Sequence, residues 1–169
     1  MAAIVLYYSR AGENCFSGAI RPLAKGNTET VAEEIARLTG AELFRVEQAA
    51  PYSDSYSECI EQAKRDQRRG ARPELARWPD GLDRFDTVYL GYPNYWGTMP
   101  MAMFMLLDGL DLSGKAVYPF CTHEGSGLRR SEQDIRALCP GADVRPGLAV
   151  RGGSAASAGQ DIRLWLNLG

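Results

Sequence analysis

The chain has one histidine, His123, and three lysines, and its four cysteines, Cys15, Cys59, Cys121 and Cys139, form no Cys-x-x-Cys pair. Without paired thiols or a second imidazole no tetrahedral zinc set arises, so no metal site is expected. No apolar segment approaches the roughly 20 residues needed to span a bilayer, so no membrane is expected as a partner. The opening MAAIVLYYS enters an apolar run at once, without a basic leader or cleavage site. That pattern leads us to expect a cytoplasmic protein with reduced thiols. An excess of basic charge is missing too. The formal net charge is -2, which offers no general attraction to nucleic acid. The densest basic cluster, Lys64, Arg65, Arg68 and Arg69, is interleaved with Glu58, Glu61 and Asp66 and reads as a solvated helix face.

What is present suits one α/β domain over residues 1–169, with 45% apolar residues to build a single core. Residues 3–8 form a short β-prone run; Val31, Ile35 and Leu38 then recur at helical spacing until Gly40 ends the helix. ELFRVE (42–47) alternates like a strand, and residues 54–70 carry a thin stripe of Tyr56, Ile60 and Ala63. DTVYLGY (86–92) is apolar enough for a strand buried on both faces. Met101 to Leu107 reads as a buried helix started at Pro100. Residues 115–121 supply a fourth strand, and Ser131 with Asp134 is expected to cap a helix running to Leu138. Residues 144–150 give a fifth strand, and the last helix carries Ile162, Trp165 and Leu166. Strands alternating with helices in this way predict a parallel, doubly wound sheet with right-handed crossovers. Ligands of such sheets bind beyond the carboxyl ends of the strands, which directs attention to the loops after the first, third and fourth.

The first of these loops, SRAGENCFSGAIRPLAKGNTET, is a hydroxyl- and glycine-bearing turn interrupted by residues 13–25. Ser9, Asn27, Thr28 and Thr30, with Gly12 and Gly26, stand at the amino end of a helix, where free N–H groups favour an anion. No lysine follows as in a P-loop and no GxGxxG opens the helix, so the donors are neutral. GNTET also reads as an ordinary helix cap. The second loop, Pro93-Asn94-Tyr95-Trp96-Gly97, sets two aromatics beside a glycine, which suits stacking on a flat ligand. The third, Thr122 to Gly127, is a polar rim.

Together the strings YYSR, GNTE, LGYPNYWGTMP and PFCTHEGSGL resemble the flavodoxins, FMN-binding electron carriers, along essentially the whole chain. The resemblance implies a sheet of five parallel strands in the order 2-1-3-4-5. It also implies that Ser9, Asn27 and Thr28 hold the FMN phosphate, with Arg10, Gly26 and Thr30 beside them and Glu29 pointing away. By the same likeness Trp96 covers one face of the isoalloxazine, Tyr95 shares the contact, and the Gly97 backbone faces the flavin N5 edge, in a loop completed by Pro93 and Asn94. Cys121, Thr122, His123, Glu124 and Gly125 would meet the pyrimidine side. The implied protein is a monomer with no catalytic residue of its own, carrying low-potential electrons between a reductase and an acceptor protein.

Three departures stand out. Residues 13–25 interrupt the phosphate loop; Phe16, Ile20, Arg21 and Lys25 are expected to form a lid or a partner surface, unless the segment is a tolerated excursion. His123 stands where many flavodoxins place a tyrosine. The weak net charge does not support electrostatic steering of partners. The rival readings are an FMN-dependent NAD(P)H oxidoreductase acting on quinones or flavins, a flavin-storing domain, and a small phosphatase using the Cys15-x5-Arg21 spacing.

Overall fold

The computed structural model describes residues 2–168. β1 (Ala2–Tyr7) lies inside a parallel sheet because its apolar run leaves no polar face for water; Ile4 to Tyr7 are all buried. On one side it pairs with β4 (Glu42–Arg45) and on the other with β5 (Phe85–Pro93), and β5 pairs in turn with β6 (Ala116–His123). Beyond β6 lie two short pieces, β7 (Asp143–Val144) and β8 (Leu148–Arg151), both parallel to it. The order β4-β1-β5-β6-β7 is the expected 2-1-3-4-5, with the fifth strand split. Arg145-Pro146-Gly147 makes the split: Pro146 has no N–H to donate, and the Gly147 N–H turns to the Glu132 carboxylate at 2.8 Å.

Alternation along β1 sends Val5 and Tyr7 toward α1 (Asn27–Thr39) and α5 (Gly159–Trp165), where Val31, Ile35 and Ile162 meet them. Ile4 and Leu6 face the opposite layer, with Met103 and Leu106 of α3 (Met101–Gly109) and Ile135 of α4 (Ser131–Leu138). α2 (Tyr56–Arg68) lies beside α3. α1 stops where expected, at Gly40 with φ 76°, whose N–H returns to the Ala36 carbonyl.

Two expectations change. Ser131 does not cap α4: it is buried, accepts from the Tyr92 hydroxyl at 2.9 Å and donates to the Leu128 carbonyl at 2.6 Å, while Asp134 takes the Thr98 hydroxyl. A phenol buried in the core needs a partner, and Ser131 supplies it. Residues 13–25 are mostly a β-hairpin, with β2 (Gly12–Phe16) antiparallel to β3 (Ala19–Leu23). Pro22 argues against a strand, but in an isolated two-stranded ribbon its missing N–H can face a free edge. Ser17 and Gly18 turn the chain with φ of 53° and 83°, the pattern of a type I′ hairpin.

Candidate functional site

A cavity of about 270 Å³ opens beyond the carboxyl ends of β1, β5 and β6. At one end stands the start of α1. The Glu29 N–H donates to Ser9 Oγ at 3.0 Å and the Thr30 N–H to the Gly26 carbonyl at 3.1 Å. Among the described residues the N–H groups of Asn27 and Thr28 have no acceptor, which leaves two aligned donors at the positive end of a helix. Ser9 accepts through its oxygen, so its own proton remains free to donate. The cradle is tight: a Cβ on Gly26 would lie 2.2 Å from Ser9 Oγ and 2.5 Å from the Arg10 carbonyl oxygen.

The other residues of this end divide between lining and support. The Thr28 hydroxyl is buried against the Thr122 hydroxyl at 2.7 Å, and that of Thr30 bends back to the Gly26 carbonyl. Arg10 spends its guanidinium on the carbonyls of Glu13, Ser53 and Asp54, each at 2.9 Å. Glu29 does point away, accepting from the Tyr7 hydroxyl and pairing with Arg45 at 3.1 Å, so its charge is met outside the cavity.

At the other end Tyr95 and Thr98 exchange backbone hydrogen bonds around Trp96 and Gly97, whose φ values are 55° and 89°. A left-handed tryptophan stores roughly 1 kcal/mol of backbone strain. Its indole lies over α2, with Nε1 donating to the Ile60 carbonyl at 2.8 Å and Lys64 Nζ 4.7 Å from the ring centre. Asn94 stitches this loop to the next: its side chain donates to the Gly127 carbonyl and accepts the Gly97 N–H, both at 2.9 Å. The Gly97 carbonyl accepts from the Arg130 N–H at 3.2 Å. Tyr95 turns toward Tyr8, edge to face at 6.0 Å, and its buried hydroxyl has no hydrogen-bond partner among the described residues. Burial, reinforced by Tyr8, raises that phenol well above its ordinary pKa.

On the third loop His123 Nδ1 accepts the Gly125 N–H at 2.9 Å. Burial, with Arg151 nearby, lowers its pKa and favours a neutral ring. Cys121 faces the core, where burial pushes its thiol up to about 12.

The cavity therefore brings together Arg10, Asn27, Thr28, Pro93, Asn94, Tyr95, Trp96, Thr122, His123 and Glu124. Ser9 and Gly26 shape it from behind, and Thr30, Gly97, Cys121 and Gly125 lie outside the lining. Sequence reasoning missed Asn14 and Cys15 of β2, Ser126, and a row on α2: Tyr56, Cys59, Ile60 and Ala63. Tyr56, Ile60 and Ala63 of that row form the thin stripe read from the sequence, but a stripe does not say whether it faces a core or a cavity. Of the expected lid residues, Ile20 is 58% exposed, Arg21 lies over the Phe16 ring and Lys25 pairs with Glu33.

A family model described as Flavodoxin matches residues 21–168. No curated protein matches the chain. Among solved structures, a candidate flavoprotein from Bacteroides eggerthii superposes with a TM-score of 0.79 at 23% identity, covering 99% of this chain and 96% of its own. A flavoprotein from Lactobacillus acidophilus, solved in complex with FMN, gives 0.68 at 21% identity, covering 98% of each chain. Oxidised Flavodoxin 2 from Bacillus cereus gives 0.55 at 18% identity, again covering 98% of each. These likenesses are likenesses of fold. The family match, reaching from Arg21 through the aromatic loop to Leu168, establishes that the chain belongs to the flavodoxin family.

Proposed function

We propose that the cavity holds FMN and that the protein passes electrons singly between a reductase and an acceptor protein, as a monomer in the cytoplasm. One observation carries the reading: two helix N–H groups without an acceptor among the described residues stand at one end of a cavity also lined by Trp96 and by the row of α2. A phosphate suits the first feature and a flat ring the second. The Asn27 and Thr28 N–H groups and the Ser9 proton would bind the phosphate, while Trp96 and Tyr56 would orient the ring. When bound, FMN supplies the redox chemistry; these residues hold it and shield it from water. The fold-related Lactobacillus acidophilus flavoprotein, solved with FMN, supports the choice of cofactor.

A second reading, an FMN-dependent NAD(P)H oxidoreductase acting on quinones or flavins, draws support from Gly97. Its N–H and carbonyl are both engaged, by Asn94 and by Arg130, so the loop has less backbone to offer the flavin edge. A phosphatase is disfavoured by geometry, because Cys15 and Arg21 belong to facing strands of the hairpin, and the Arg21 side chain lies over Phe16.

Stepwise anaerobic reduction of FMN-loaded protein separates the readings. Uptake of one electron before the second, seen as a distinct visible spectrum, supports the carrier. Direct two-electron reduction with oxidation of added NAD(P)H supports the oxidoreductase. Failure to retain FMN removes both.

A further inference from the structure

We propose that the β2–β3 hairpin selects the flavin nucleotide: strapped across the anion end of the cavity, it admits a flavin ending in a phosphate monoester and shuts out a dinucleotide. The proposal rests on the FMN reading of the site and concerns a segment that sequence alone left open.

The hairpin grows out of the anion cradle. β2 begins just after Ser9 and Arg10, and β3 ends just before Gly26, the residue that caps α1. Its base is fastened on the α2 side. Arg10 ties the Glu13 carbonyl to those of Ser53 and Asp54, and the Glu13 carboxylate accepts the Tyr56 N–H at 2.8 Å, capping α2 from outside that helix. A carboxylate at a helix amino end is held by both hydrogen bond and dipole.

Its tip is closed on the opposite side. Ser17 comes so near the turn after β8 that a Cβ on Gly153 would lie 2.6 Å from Ser17 Oγ. The adjoining Gly152 packs on two side chains of the cavity lining: a Cβ there would lie 2.5 Å from Asn27 Nδ2 and 2.7 Å from Glu124 Oε2. Between these attachments β2 presents Asn14 and Cys15 to the cavity. A phosphate on the Asn27 and Thr28 N–H groups is thus bounded by the strap on one side and by Gly152 and Gly153 on the other. A monoester ends there. The pyrophosphate of a dinucleotide has to continue outward, and the contact between Ser17 and Gly153 leaves no passage for a chain.

The test compares FMN, FAD and riboflavin by quenching of flavin fluorescence, with dissociation rates from competition. Three proteins are used: the full chain, a variant with residues 13–25 replaced by two glycines, and Gly153→Val, which keeps the hairpin but lifts its tip. The full chain is expected to prefer FMN over FAD by about a hundred-fold or more. Excision should lower that preference by on the order of ten-fold and speed FMN release, and Gly153→Val should move both in the same direction by less. Equal binding of FMN and FAD by the full chain overturns the proposal. So does an unchanged ratio in a variant that still binds FMN; if the excised chain does not fold, Gly153→Val decides. A full chain that binds none of the three flavins fails the FMN reading itself, which is a different outcome.

Discussion

Two turns of this molecule share one backbone and serve it differently. At the hairpin tip Ser17 and Gly18 have φ of 53° and 83°; at the cavity Trp96 and Gly97 have 55° and 89°. Both follow the type I′ pattern, which favours asparagine or glycine at both positions. Serine at the exposed tip is a modest departure. Tryptophan is a strained one, and its indole reaches α2 and the cavity rim. The tip reverses the chain and sets a small side chain against Gly153, whereas the cavity turn needs a particular ring in a particular place. The walls behind the turns differ similarly. Asn94 joins two loops across the sheet end, while the Asn14 side chain bonds the carbonyls of Arg10 and Gly12 close by in its own segment.

The largest contrast should come from these asparagines. Asn94→Ala removes two bonds from a half-buried junction and is expected to lower stability by about 2 to 3 kcal/mol in urea unfolding. Asn14→Ala, in a more exposed setting, should cost less than about 1 kcal/mol. Equal losses would show that the hairpin wall is as much a part of the folding unit as the sheet wall. Next comes Trp96→Asn, which relieves the left-handed strain while removing the ring. Stability should change by less than about 1 kcal/mol, whereas FMN affinity, by titration, should fall about ten-fold. A stability loss without an affinity loss would mean that the indole serves α2 rather than a ligand.

A smaller effect is expected of His123, whose folded pKa lies below the unfolded value near 6.5. The unfolded chain takes up the proton first as pH falls, so stability is present above pH 6.5 and declines from there toward the folded pKa. Solvent screening should hold the decline below about 0.5 kcal/mol. It should vanish in His123→Gln, and a profile identical in that variant counts against the assignment. Smallest of all is Ser17→Asn, which suits its backbone and should shift stability by no more than a few tenths of a kcal/mol.

Much of the site was legible because a parallel sheet confines ligands to particular loops. Once residues 3–8, 86–92 and 115–121 read as buried strands, the loops after them were singled out, and ten of the residues expected there do line the cavity. Side-chain direction was not legible. Arg10 looked like an anion ligand but holds the hairpin base; Thr30 and Gly97 looked exposed to a ligand but spend their polar groups on the backbone and on Asn94. Each belongs to a loop whose hydrogen bonds close over residues far away in sequence, and local pattern carries no record of them.

Period and punctuation in the sequence by themselves determined the parallel layers, the helix stop at Gly40 and the place of the cavity. These follow from short-range sterics and from the need to bury apolar runs. Only the tertiary structure decided that residues 13–25 are a strap, that the stripe of α2 floors a cavity, and that Ser131 serves Tyr92 instead of a helix end. Those outcomes depend on which polar groups find partners when distant segments meet. A buried group must be satisfied by whatever stands nearest in space.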